Sequence, residues 1–218
     1  MNNVPSVESY PKLTFGNTGA SGDFCFIFID IRESSRLVSN YGEEKAAKIY
    51  ESFHEICVRI IQTMGGSVRS FDGDRVMGVF AGSNKENDAV ETAFYIGFAI
   101  EKDLNTKFSP MIKPIRYGIG IETGETLVVK VGKGRDINTQ DLIWLGEACN
   151  YASYYSDKAN NQIIISQKVY NKLVQKNIKS QQYYYPTEFW ADIKLPLKKG
   201  VNSVAVKVST NTRDYSHL

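Results

Sequence analysis

Apolar positions in this chain fall into runs of two periods, and their order predicts an interleaving of strands and helices. In Phe24-Cys-Phe-Ile-Phe-Ile-Asp30-Ile the aromatic and β-branched residues follow one another without clean alternation, the pattern of a strand buried on both faces. Asp30 stands where that strand ends, and Arg32-Glu-Ser-Ser35 can open a helix. Between Glu43 and Met64, residues such as Ala46, Tyr50, Phe53, Cys57 and Ile61 recur at three and four, with Gly65-Gly66 as the stop. Ser67 to Phe80 then holds Asp72-Gly73 between two apolar runs, a hairpin signal that leaves Asp74 directly after the turn.

A second amphipathic helix runs from about Asp88 to Leu104, with Ala89, Ala93, Ile96 and Ile100 on its buried stripe. Arg116–Ile121 and Thr126–Val131 read as a strand pair around Glu122-Thr-Gly124. The β-α-β-β-α-β order is the split-βαβ, ferredoxin-like arrangement of an α+β protein, with a mostly antiparallel sheet and helices on one face. Beyond the loop 132–140 the pattern gives a strand at Leu142–Leu145 and a helix from Gly146 that carries Asn150. A strand at Gln162–Ser166, a helix from Lys168 to about Lys176 and a strand at Val201–Val208 follow. The polar stretch 1–21 reads as an arm that stays mobile or docks on a neighbour, 22–210 as one domain, and 211–218 as a tail.

The 218 residues suffice for one domain with a full core, and 42% hydrophobic with 23% charged residues is ordinary globular composition. A net charge of +2, with both signs interspersed, argues against nucleic acid or a membrane surface as a stable partner and favours a small ligand. Cys25, Cys57 and Cys149 are odd in number and set in apolar surroundings, which suits free thiols in a reducing compartment. No apolar run approaches the ~20 residues a bilayer needs and no leader pattern opens the chain, so a cytoplasmic location is expected. With His54 and His217 the only histidines, carboxylates must carry any metal.

Asp30 and Asp74 can meet at one edge of the sheet. Mg²⁺ and Mn²⁺ at nucleotide sites are commonly held by one or two carboxylates plus phosphate oxygens and water, and such ions can activate an attacking oxygen and neutralise departing pyrophosphate. Either aspartate alone reads as a helix cap or a turn residue. Together, in this order of elements, they read as a metal site.

The segments Phe28-Ile-Asp30-Ile, Gly65-Gly66, Gly73-Asp74, Gly118-Ile-Gly-Ile-Glu-Thr-Gly-Glu125 and Gly146-Glu-Ala-Cys-Asn150-Tyr-Ala occur in sequence over about Asp23 to Val208. Taken together they resemble the class III nucleotidyl cyclases, the adenylate and guanylate cyclase catalytic domains. The resemblance implies that Asp30, Asp74 and the backbone carbonyl of Ile31 hold two Mn²⁺ or Mg²⁺ ions, and that Asn150 positions the ribose. It implies a head-to-tail homodimer in which each site takes metal ligands from one chain and Asn150 from the other. A nucleoside triphosphate would become its 3′,5′-cyclic monophosphate plus pyrophosphate.

Cyclases of this family read a purine four residues before the second metal aspartate and seven before the asparagine. Here those positions are Ser70 and Ile143, which cannot make charged or bidentate contacts to a base edge. Arg69-Ser-Phe-Asp-Gly-Asp-Arg75, Asp141-Leu-Ile-Trp-Leu-Gly146 and Asn150-Tyr-Ala are similar instead to the bacterial pyrimidine cyclases of the Pycsar antiphage system. Those enzymes make cyclic UMP or cyclic CMP for a separate cyclic-nucleotide-binding effector, and UTP is expected here over CTP. An adenylate or guanylate cyclase with unusual base recognition, and a degenerate cyclase-like binding module, stay open. A palm-like polymerase domain is opposed by the lack of a basic groove.

Four residues after Asn150 the family usually carries Arg or Lys against the charge developing on phosphate; here stands Tyr154, with Arg135, Lys133 and Lys158 as candidate substitutes. Lys199 resembles the family's triphosphate lysine and also reads as an ordinary turn residue. Arg75 is placed to reach phosphate or to be a surface arginine. Strand alternation puts Ser70, Asp72 and Asp74 on one face and Arg69 on the other. Glu122 takes the place of a histidine common in the family and gets no catalytic role, while His54 and Trp144 read as packing residues.

Overall fold

The structure, a computed structural model, describes residues 3–6, 13–16, 18–133, 139–177, 191–193, 195 and 203–206. In chain order the elements are β1 (Gly19–Ile31), α1 (Ser35–Tyr41), α2 (Glu43–Thr63), β2 (Ser67–Asp72), β3 (Arg75–Phe80) and α3 (Lys85–Ala99). The last of these continues through a π-helical turn, Ile100–Leu104, into α4 (Asn105–Phe108). Then come β4 (Tyr117–Val131), β5 (Asp141–Leu145), α5 (Glu147–Lys158), β6 (Gln162–Ser166), α6 (Gln167–Asn177), β7 (Ala191–Ile193) and β8 (Ser203–Val206). The eight strands form one sheet in the order β2-β3-β1-β4-β6-β8-β7, with β5 on β4. Only β4 and β6 pair parallel among the described strands.

β1 is central because its residues are apolar on both sides. Cys25, Ile27, Ile29 and Ile31 enter the core formed with α2, α3 and α6, while Phe24, Phe26 and Phe28 enter a second core with Met77, Val79, Trp144 and α5. Ile27 and Phe53 are fully buried in the first core, where truncation to alanine costs about 2–5 kcal/mol. Helices therefore cover both faces, with α5 opposite the others, and the expected one-sided arrangement holds only for α2, α3 and α6.

The strand pair expected around Glu122-Thr-Gly124 is one continuous strand. β4 stays paired with β1 from Tyr117 to Val129, and Thr123 and Gly124 face Cys25 and Phe24 in register. The glycines there serve close approach and not reversal. A Cβ on Gly118 or Gly120 would run into the α5 backbone, at Ser156 O and Ala152 O.

At the opposite edge, β2 pairs with β3 through Val68↔Gly78 and Ser70↔Met77, so Arg69 is the extra residue of a β-bulge. Val68 packs with the α2-side core, whereas Ser70 pairs with Met77 of the α5-side core. Simple alternation along β2 therefore breaks at Arg69. The N-terminal arm docks on its own chain as far as it is described: Leu13 is buried in the α5-side core, and Lys130 Nζ lies 5.1 Å from the Phe15 ring centre. Among the described residues no helix is long and apolar enough to cross a membrane.

Candidate active site

β1 delivers Asp30 to the sheet edge in register with Arg75 of β3 and Gly118 of β4. Gly73, at φ 60°, and Asp74 make the two-residue turn between β2 and β3, a geometry that needs positive φ. The hairpin carries Asp74 back over the end of β1, within hydrogen-bonding reach of the Asp30 carboxyl. Asp30 is only 8% exposed. Burial pushes its pKa up to about 6, the Arg32 guanidinium opposes the shift, and the neighbouring Asp74 adds to it.

The buried carboxyl of Asp30 and the half-buried carboxyl of Asp74 stand close enough to share one cation. No group of three or more His, Cys, Asp or Glu able to hold a metal occurs among the described residues. Two carboxylates are oxygen donors of the kind a hard divalent ion such as Mg²⁺ or Mn²⁺ takes when phosphate oxygens and water complete its shell. Ile31, buried at the end of β1, follows Asp30 directly in the chain.

Two guanidiniums flank the carboxyls. Arg32 pairs with Asp30 Oδ2 through Nη2 and donates from Nη1 to the Asp157 carbonyl at 3.0 Å. Arg75 Nη2 lies 3.3 Å from Asp30 Oδ2 and also pairs with the Asp157 carboxylate, while its Nη1 donates to Ser153 Oγ at 3.0 Å. Arg75 is thus a tie between the acidic pair and α5. From α5, Asn150 projects as an exposed side chain, and no hydrogen bond or ion pair joins it to the Asp30–Asp74 pair of its own chain among the described residues.

Residues 17–194 match the family described as the adenylate and guanylate cyclase catalytic domain. The chain belongs to this family. Relatives include the uridylate cyclase of Xanthomonas perforans, 33% identical over 175 residues that make up 78% of this chain and 74% of that protein. The uridylate cyclase of Burkholderia cepacia is 31% identical over 173 residues, 76% of this chain and 70% of that protein. Among solved structures, the adenylyl cyclase CyaB from P. aeruginosa superposes with a TM-score of 0.74 at 20% identity, covering 90% of this chain and 100% of that one. The guanylyl cyclase Cya2 gives 0.71 at 16% identity over 89% and 96%. These structures share the fold, a curled α+β cyclase sheet with packed helices.

Within this cyclase domain the structure brings Asp30, Asp74, Ile31 and Arg75 together and sets Asn150 apart on α5. Ser70 lies half-buried on β2, and Ile143, 40% exposed, sits on β5 opposite Val129. Tyr154 is half-buried, edge-on to Tyr155, with Lys158 Nζ 5.2 Å from its ring centre. Lys133 is exposed. Lys199, Arg135 and the tyrosines 183–185 lie outside the described residues. His54 accepts no site role: its Nδ1 is 2.7 Å from Tyr50 O and its ring packs on Phe53 and Phe71.

The bulge at Arg69 interrupts the alternation expected along β2, and it becomes visible only when β2 is paired with β3. Glu122 is buried, accepts from Ser166 Oγ at 2.6 Å and from Thr123 N at 2.8 Å, and has its pKa raised by burial. It borders a cavity of about 630 Å³ between the starts of α5 and α6, which contains neither Asp30 nor Asp74.

Proposed function

We propose that this cyclase domain converts a pyrimidine nucleoside triphosphate, UTP before CTP, into the 3′,5′-cyclic monophosphate and pyrophosphate. The observation that carries the proposal is the joined carboxyl pair Asp30–Asp74 in a cyclase domain with several uridylate cyclases among its relatives, in which the purine-reading positions are Ser70 and Ile143.

In this reading the ribose 3′-oxygen attacks the α-phosphorus, a new P–O bond forms, the bond to the β-phosphate oxygen breaks, and the hydroxyl proton passes to solvent. Two divalent ions held by Asp30, Asp74 and the Ile31 carbonyl would supply charge neutralisation along the triphosphate. Arg75 orients Asp30 and ties it to α5, and Asn150 fixes the ribose of the nucleotide bound to the partner's acidic pair. Lys158, stacked on Tyr154, offers a cation near the position where the family usually carries arginine.

The homodimer has a surface to form on. Leu127 and Leu145 are cross-strand partners, as are Val129 and Ile143, and Leu127, Ile143 and Leu145 are 40%, 40% and 51% exposed on the β4–β5 hairpin. Such a ladder suits a chain-to-chain contact. The cyclic product would serve as an antiphage second messenger read by a separate effector.

Purified protein incubated with each of the four nucleoside triphosphates and Mn²⁺ gives cyclic UMP as its main product by mass spectrometry, and Asp30→Asn and Asp74→Asn abolish it. Dominant cyclic AMP or cyclic GMP overturns the pyrimidine reading. Tyr154 favours a rival, a nucleotide-binding module without turnover; nucleotide binding with no cyclic product from any triphosphate would establish it.

A further inference from the structure

Beside the end of β1 a cleft of about 130 Å³ collects positive charge. Arg32, Arg36, Lys113 and Arg116 line it against a single carboxylate, Glu33, which Arg116 engages at 3.0 Å and Arg36 at 3.5 Å. Four cations and one anion leave the lining with a net charge of +3. Lys113 Nζ and the Asn40 amide make no hydrogen bond or ion pair with another described residue. Arg32 is the most enclosed of the arginines: its Nη2 pairs with Asp30 Oδ2, its Nη1 donates to the Asp157 carbonyl, and its Nε is buried with no acceptor. A buried N–H left unmatched is costly and like charges crowded together repel, so the empty cleft lacks an anion.

The cleft stands apart from the acidic pair. β3, whose hairpin carries Asp74, pairs with one edge of β1, and β4 pairs with the other. Lys113 to Arg116 lead into β4, and among the described residues the cleft contains neither Asp30 nor any residue of the hairpin. It runs along the flank of α1 at Leu37, Asn40 and Tyr41. The Tyr41 hydroxyl accepts from Lys113 N at 3.1 Å, which leaves its own proton to donate. At ~30 Å³ per water, 130 Å³ holds about four waters. That is well under the ~300 Å³ at which pockets for larger organic ligands begin, so the space suits an inorganic ion. Donors converging from α1, from Arg32 and from the segment before β4 suit a tetrahedral oxyanion better than a planar carboxylate.

We propose that this cleft is an anion site separate from that of the reacting nucleotide, and that it takes an inorganic phosphoryl oxyanion, either free phosphate or the pyrophosphate that a cyclisation releases. Arg32 couples it to the metal seat. Its guanidinium rests on the same Oδ2 of Asp30 that Arg75 approaches at 3.3 Å. An oxyanion that draws on Arg32 loosens that hold, and Asp30 then takes a divalent ion more readily. By linkage the divalent ion tightens the oxyanion by the same factor. The site does not depend on which nucleoside triphosphate the domain cyclises.

The test titrates phosphate and pyrophosphate, separately, into the metal-free full chain at low ionic strength by calorimetry. It compares wild type with Lys113→Glu, Arg36→Glu and, as a control for overall charge, Lys45→Glu on α2; all three side chains are exposed, so the fold tolerates the changes, and thermal midpoints check this. Wild type binds one anion per chain with a Kd of about 1 mM or tighter. Lys113→Glu and Arg36→Glu weaken it by about 10-fold or more, whereas Lys45→Glu leaves it in place. Phosphate raises the affinity for Mn²⁺ by about 5-fold, and Lys113→Glu removes that gain. Tighter binding of pyrophosphate assigns the site to the released product, and equal or tighter binding of phosphate assigns it to the free ion; both uphold the site. No binding, or equal weakening in the Lys45→Glu control, overturns it. Displacement of the anion by UTP with Ca²⁺ also overturns it, by placing the anion where the triphosphate sits, and an Mn²⁺ affinity indifferent to bound phosphate overturns the coupling through Arg32. A chain that binds the anion yet makes no cyclic pyrimidine nucleotide defeats the proposed function and leaves this site standing.

Discussion

Asp30 is held in a state that water would not give it. Its carboxyl titrates near 6 in the fold against 3.8 outside it, because burial and Asp74 outweigh Arg32 and Arg75. A raised acid binds its proton more tightly when folded, so this site lowers metal-free stability progressively as pH rises from about 4 to about 6, and the cost is complete above that window. Asp30→Asn removes the charge and keeps the shape. Urea unfolding of the metal-free protein at pH 8 should show the variant more stable by about 1–3 kcal/mol, while cyclase activity falls by more than about 100-fold. Mn²⁺ binding to wild type should weaken as pH drops below 6, measured by calorimetry, because proton and metal compete for the same oxygens. The two aspartates were legible in the sequence since each sits in a short local signal, a strand end and a Gly-containing turn. The bulge at Arg69 was not, because it depends on how β2 pairs with β3.

At the scale of the element, β4 shows how a glycine can mean two things. Gly118, Gly120 and Gly124 resemble turn punctuation when read along the chain, but in the fold each lies under a helix, and Gly118 and Gly120 meet the α5 carbonyls. Gly120→Ala should cost about 1–3 kcal/mol or more in urea denaturation, since backbone cannot step aside as a flexible side chain can. A stability equal to wild type would refute the close approach. α2 and the β2–β3 hairpin were readable because period and turn chemistry are local properties. The placement of α5 on the opposite face was hidden, for it depends on the aromatic side of β1 needing cover by Ala148 and Ala152.

For the whole molecule the question is how many chains make a site. The exposed apolar ladder on β4–β5 and the outward Asn150 are what the proposed homodimer would use. Leu145→Glu should give a folded monomer by light scattering, with cyclase activity lost. Asp30→Ala and Asn150→Ala chains, each inactive alone, should recover about a quarter of wild-type activity when mixed at equal amounts, since half the dimers are mixed and one of their two sites is intact. No recovery at any mixing ratio would put Asn150 and the acidic pair to use within one chain. Composition and charge had favoured a small ligand over nucleic acid or membrane, but no sequence period encodes a contact between chains.

α5 then acquires a role beyond covering the sheet. Ser153 and Asp157 grip Arg75 beside the acidic pair of their own chain, and Asn150 stands on the same stripe of the helix, about 5 Å from Ser153 and about 10 Å from Asp157 along its axis. In a head-to-tail pair each such rod would run from one reaction centre to the ribose of the other. Filling one centre would then set the angle at which the second receives its nucleotide, and the velocity would rise with substrate along a sigmoid curve. A Hill coefficient above 1 for wild type that returns to 1 in Ser153→Ala would show the two centres answering each other.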